Sequence, residues 1–166
     1  MQKNLFDDFC LFSLWMIHFG AIGAMCCKES ANVFGPGDHA STYGGNPLAC
    51  RAGLAVAQYL SDHDVLSNVK ARGEQLSKGL GKLAEKYPSV LADVRGWGLL
   101  KGIKVKDDAS MTAGEVVGEA MKEGLLLVPA GPSVVRFVPP LIVSEEEVDQ
   151  ALEVFDRALK NLSKAE

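Results

Sequence analysis

The sequence predicts an α/β fold, and three observations carry that prediction. After Tyr87, short β-branched runs alternate with longer amphipathic segments, the pattern of strands laid beside helices. Two capping boxes, Thr112-x-x-Glu115 and Ser144-x-x-Glu147, each open a stretch with apolar residues at helical spacing. Glycine and proline clusters such as Pro129-Ala130-Gly131-Pro132 separate the runs as turns. With 166 residues, 48% hydrophobic and 23% charged, the chain is long enough and apolar enough to bury a core.

Residues 9–27 contain no Asp, Glu, Lys or Arg, a length that would span a bilayer. The flanks argue otherwise: Lys3 is the one positive side chain before it, and Asp7-Asp8 adjoins it. Neither a signal peptide nor a positive-inside anchor fits, and no Arg- and Ser-rich transit segment is present. The expectation is a buried strand over 22–27, with residues 1–19 an atypical stretch. A loop over 32–45, broken by Gly35-Pro36-Gly37, leads into a helix over 47–60. Asn46 suits its N-cap and Pro47 its first position. That helix is Ala-rich and apolar on most sides, so deep packing is expected.

Asp62 is placed as the cap of a second helix ending before Pro88. Leu66, Val69, Gly73, Leu76, Leu80, Leu83 and Tyr87 form its apolar stripe. The stripe lasts only about three heptads, which favours packing on a sheet over a coiled coil. Strands are expected over 90–94 and 99–105, joined by the turn Arg95-Gly96-Trp97-Gly98. A helix runs from the Thr112 box to Gly124, followed by short strands over 125–128 and 134–138. The last helix places Val148, Leu152, Phe155, Leu159 and Leu162 on one face.

Composition narrows the function classes. A formal charge of −4, with no basic stripe on any predicted helix, gives no nucleic-acid footprint. Cys10, Cys26, Cys27 and Cys50 form no C-x-x-C pair and no metal-ligand spacing with His18, His39 or His63. They read as reduced thiols of an intracellular protein, without a metal site. Asp107-Asp108 reads as a solvated turn.

Two segments hold the candidate chemistry. In Gly37-Asp38-His39-Ala40-Ser41-Thr42-Tyr43-Gly44-Gly45-Asn46-Pro47, two hydroxyls and a Gly-Gly pair precede a helix start. Unpaired N–H groups and the positive end of the helix dipole make such a turn a seat for phosphate. The same residues also suit a plain capped loop entering a core helix, and His39 has no orienting carboxylate near it in sequence. The second segment centres on Arg136, which lies among valines and Phe137 in a predicted strand. A buried guanidinium there needs a carboxylate or phosphate partner, whereas an edge-strand Arg would reach solvent.

The first segment resembles the H-x-S-T-[YF]-G-G-N-P-L-A-C run of class III aminotransferases, which use pyridoxal 5'-phosphate (PLP). Gly131-Pro132-Ser133-Val134-Val135-Arg136-Phe137-Val138-Pro139-Pro140-Leu141 resembles that family's A-G-x-x-[VI]-[VIL]-R-[FL]-x-P-[PS]-L segment. Val94-Arg95-Gly96-Trp97-Gly98-Leu99-Leu100 resembles its [IV]-R-G-x-G-L-[LM] turn, read as structural. The resemblance runs from about Gly20 to the C-terminal helix. It implies the C-terminal part of a fold-type I PLP enzyme: the end of the large domain with connecting helices over 20–86, and the small C-terminal α/β domain over 87–166. It implies that Thr42, with Ser41, holds the phosphate of a neighbouring subunit's PLP across a homodimer, and that Arg136 holds the substrate α-carboxylate.

Gly124-Leu125-Leu126, Ala130-Gly131-Pro132 and Glu145-Glu146-Glu147-Val148-Asp149 are most similar to the acetylornithine branch, whose reaction moves the δ-amino group of N-acetylornithine to 2-oxoglutarate. The family's Schiff-base lysine stands about eight residues before an Ile-Gly-Ala triplet, here Ile22-Gly23-Ala24. That position is Leu14, and residues 9–27 hold no lysine. The isolated chain is therefore expected to be inactive, with no catalytic residue of its own. Alternatives are a non-catalytic dimerisation module pairing with an intact subunit, an ornithine- or 4-aminobutyrate-type transaminase, or a membrane-tethered fragment. A soluble intracellular location is expected: the cytoplasm, or a plastid or mitochondrion for a eukaryotic parent.

Overall fold

The computed structural model describes residues 9–14, 22–38 and 44–164. The chain divides into two compact units, Met1–His63 and Asp64–Glu166. In the first, β1 (Phe9–Leu14) pairs antiparallel with β2 (Ile22–Cys27), from Phe9 opposite Cys27 to Leu14 opposite Ile22. The uncharged stretch thus contributes strands, as Phe9, Phe12 and Ile22 favour. Among the described residues, no helix is long and apolar enough to cross a membrane.

After the loop comes α1 (Pro47–Asp62). Its start follows the local chemistry: Pro47 fills the first turn, and the Asn46 side-chain oxygen accepts from the Ala49 N–H at 2.9 Å. The expected deep packing is not found. Only Ala49 is buried, while Leu48, Leu54 and Tyr59 are 61%, 48% and 43% exposed. An apolar composition shows that a helix suits burial; no described element of this unit covers these side chains.

The second unit is an antiparallel sheet with helices α2 (Val65–Lys86), α3 (Ala113–Lys122) and α4 (Glu145–Lys164). Its strands β3 (Leu91–Trp97), β4 (Leu100–Val105), β5 (Val128–Pro129) and β6 (Val134–Phe137) lie in the order β3-β4-β6-β5. Alternate strand residues Leu91, Ile103, Val105, Val135 and Phe137 pack with Leu76 and Leu80 of α2, Val116 of α3, and Phe155 and Leu159 of α4. Packing groups α2 with the strands that follow it because its stripe is buried there.

Several boundaries move from their sequence expectations. The N-cap of α2 is Asp64, not Asp62, which instead ends α1. Val65 is buried, in line with Gly73, Leu76, Leu80 and Leu83, and Leu66 is 76% exposed. Arg95, Gly96 and Trp97 extend β3, and the hairpin turns at Gly98-Leu99, with Trp97 opposite Leu100. Glycines allow it: Gly96 and Gly98 have φ of 119° and 49°. α2 then passes so close that a Cβ on Gly73 would run into the Gly98 carbonyl oxygen, which explains a glycine inside an apolar stripe. The strand expected over 125–128 shrinks to Val128–Pro129, an edge piece ended by a proline that cannot donate.

Both capping boxes form. Thr112 Oγ1 accepts from the Glu115 N–H at 3.2 Å, while Glu115 accepts from the Thr112 N–H at 2.7 Å. The Ser144 and Glu147 pair does the same at 3.2 and 2.8 Å. The end of α2 is tied to α4 through Asp156, which accepts from Lys86 Nζ at 2.7 Å and from the Tyr87 hydroxyl at 2.9 Å. Desolvation pushes the Asp156 carboxyl up, but the bonds from Lys86 and Tyr87 outweigh it and hold it below its ordinary value. Burial and the Asp156 bond raise Tyr87.

A depressed carboxyl contributes stability above its unfolded pKa of about 3.9 and loses it as pH falls through the lower folded value. A raised tyrosine contributes below about 10 and loses it as pH climbs further. The unit is therefore expected to lose melting temperature below pH ~4 and above pH ~10, with Asp156→Asn flattening the acid limb. Melts from pH 2 to 11 check this; an unchanged acid limb in the variant would remove Asp156 from the linkage.

Candidate functional site

Arg136 occupies the middle of β6, opposite Gly102 of β4 on one side and Val128 of β5 on the other. Side chains directly opposite in an antiparallel ladder share a face. Val135 and Phe137 face the core, so Arg136 points to the opposite face of the sheet, as the alternation along the strand requires. The side chain is half-buried, and its Nε is fully buried with no hydrogen-bond partner among the described residues. Leaving a charged donor dry and unpaired costs on the order of 1–3 kcal/mol or more. Such an orphaned guanidinium fits a site completed by a carboxylate or phosphate, which its planar fork receives through two parallel bonds.

The same face carries Arg95 of β3, opposite Gly102, and Lys104 of β4, opposite Val134. Lys104 pairs with Asp107 at 3.0 Å, so its charge is matched locally. Arg95 is exposed, and no ion pair or side-chain hydrogen bond ties it to the described residues. Sequence reasoning gave Arg95 a structural role; its place in one row with Arg136 depends on strand register, which no local motif displays.

The other predicted site residues, Ser41 and Thr42, lie outside the described residues, as does His39. What is described of that segment is its end: Gly45 with φ of 70°, and the Asn46 cap opening α1. Arg136 and the Ser41-Thr42 segment belong to different units. Strands β1 and β2 carry no lysine, and Leu14 closes β1 at the position where the resemblance places a Schiff-base amine. These residues do not fit covalent attachment of PLP.

Known proteins resemble this chain along most of its length. The Aminotransferase class-III family model matches residues 19–159. The acetylornithine aminotransferase of Thermosynechococcus vestitus is 58% identical over 142 residues, 86% of this chain and 34% of that protein. A crystal structure of acetylornithine aminotransferase from Elizabethkingia anophelis matches with a TM-score of 0.75 at 30% identity, covering 84% of this chain and 37% of that one. The ornithine δ-aminotransferase of Plasmodium falciparum matches with a TM-score of 0.83 at 27% identity, covering 96% of this chain and 41% of that one. The chain spans about a third of the length of the curated relatives it matches. With three matched motifs in order, a family model over residues 19–159 and relatives more than 50% identical over most of its length, this chain belongs to the class III aminotransferase family.

Proposed function

We propose that this chain is the C-terminal part of an acetylornithine-type aminotransferase. The complete enzyme would use PLP to move the δ-amino group of N-acetylornithine to 2-oxoglutarate. The observation that carries this reading is the buried, unpaired Nε of Arg136, in a segment whose family counterpart takes the substrate carboxylate. Relatives at 53–58% identity that carry the acetylornithine name support the choice of branch. In a complete homodimer, Ser41 and Thr42 would hold the phosphate of the partner subunit's PLP, and Arg136 would orient the amino donor and the oxo acid in turn.

Alone, the chain has no amine at Leu14, so it is expected to form no internal aldimine. Incubation with PLP, borohydride reduction and peptide mapping should show no stoichiometric pyridoxyl-lysine at any one site, together with no transaminase turnover. One fully labelled lysine with turnover would overturn the inactivity reading. The exposed Leu48, Leu54 and Tyr59 of α1 favour a second reading, in which the chain pairs with an intact subunit and presents Thr42 to it. Co-purification with a full-length relative, in a complex dissociated by Leu54→Glu, would select that reading.

A further inference from the structure

The row Arg95–Gly102–Arg136 crosses three adjacent strands on one face of the sheet. Two strand spacings put the outer Cα atoms about 10 Å apart, within joint reach of two extended arginine side chains. Between them stands Gly102, which raises no side chain of its own; the Val134 side chain leans over it, with Cγ1 3.0 Å from where a Gly102 Cβ would be. Arg95 leans over that gap: its Cγ lies 4.0 Å from where a Cβ of Gly102 would be. Arg136 brings a buried Nε with no partner, and Arg95 a guanidinium with none among the described residues. Two like charges facing one gap repel each other until an anion enters.

We propose that Arg95 is a second carboxylate-holding residue. The carboxylate taken by Arg136 sits between the two guanidiniums, above the Val134 methyl that covers Gly102. The inference rests on the reading of Arg136 as the carboxylate residue and extends it to a residue with no role in the resemblance beyond its turn. The ligand class is a small organic acid presenting one carboxylate to the gap. Arg136 supplies the semi-buried bonds and Arg95 adds a further charge-assisted bond from the solvent side.

The test is glutarate titration of the whole chain at low ionic strength, read from the arginine Nε–H resonances, with melting curves for each variant. Both the Arg95 and Arg136 resonances should move with one shared dissociation constant. Arg136→Gln should abolish saturable binding, and Arg95→Gln should weaken it about tenfold, the size of one charge-assisted bond. Arg95→Lys should restore part of the loss, because it returns the charge without the fork. Lys104→Gln, on the same face but paired with Asp107, should change little.

If Arg95→Gln binds like the parent while Arg136→Gln does not bind, the Arg95 assignment falls and the Arg136 reading stands. If Lys104→Gln weakens binding as much as Arg95→Gln, a diffuse positive field explains the data and the Arg95 assignment again falls. If the parent does not bind, or Arg136→Gln binds unchanged, both readings fall.

Discussion

Phe155→Ala is expected to destabilise the Asp64–Glu166 unit by about 3–5 kcal/mol, the usual cost of emptying a buried aromatic site. Phe155 is fully buried on α4 and meets Phe137 of β6 edge to face, with ring centroids 5.1 Å apart and planes at 89°. Part of the loss is transfer of the ring to water and part is the cavity left between sheet and helix. The edge-to-face contact adds roughly 0.5–1.5 kcal/mol of its own. A domain of this size holds only about 5–15 kcal/mol in all, so the variant should melt at least about 12 °C lower or fail to fold. Leu126→Ala is the matched control: Leu126 is 82% exposed, and its loss should stay within about 0.5 kcal/mol. A Phe155→Ala melt within about 3 °C of the parent would show that α4 does not hold the sheet.

The second large effect concerns chemistry. In the Thermosynechococcus vestitus relative carrying this chain's sequence over the matched segment, Arg136→Lys should lower kcat/KM about a hundredfold, roughly 3 kcal/mol, for both amino donor and oxo acid. An ammonium cannot present two parallel donors to a carboxylate, and a methylene replaces the buried Nε donor. The cofactor's absorbance and the melting temperature should stay near the parent's, because Arg136 makes no ion pair among the described residues that the substitution would break. A variant that melts early but turns over normally per folded molecule would make Arg136 a structural residue instead.

The sequence by itself determined what short-range chemistry controls. Thr112 with Glu115, Ser144 with Glu147, and Asn46 with Pro47 name helix starts, because each cap is satisfied within three residues. The Leu76, Leu80, Leu83 stripe and the Phe155, Leu159 face were legible from a 3.6-residue period. The motif around Arg136 was legible as a resemblance, and the strand's alternation gave the direction of its side chain. Tertiary structure decided what depends on which surface is nearby. The second helix starts after Asp64, whose side chain makes no cap bond, and Val65 is buried in place of Leu66 because it lies in line with Gly73, Leu76, Leu80 and Leu83. The hairpin turn moved to Gly98-Leu99 because pairing Trp97 with Leu100 extends the ladder. An Ala-rich composition could not reveal that α1 stays exposed, since burial is a property of the neighbour as much as of the helix. Nor could spacing reveal that Arg95, Gly102 and Arg136 stand in one row. Strand register here depends on pairing Gly102 with Arg136, 34 positions later in sequence, and only the folded sheet brings those side chains to one face.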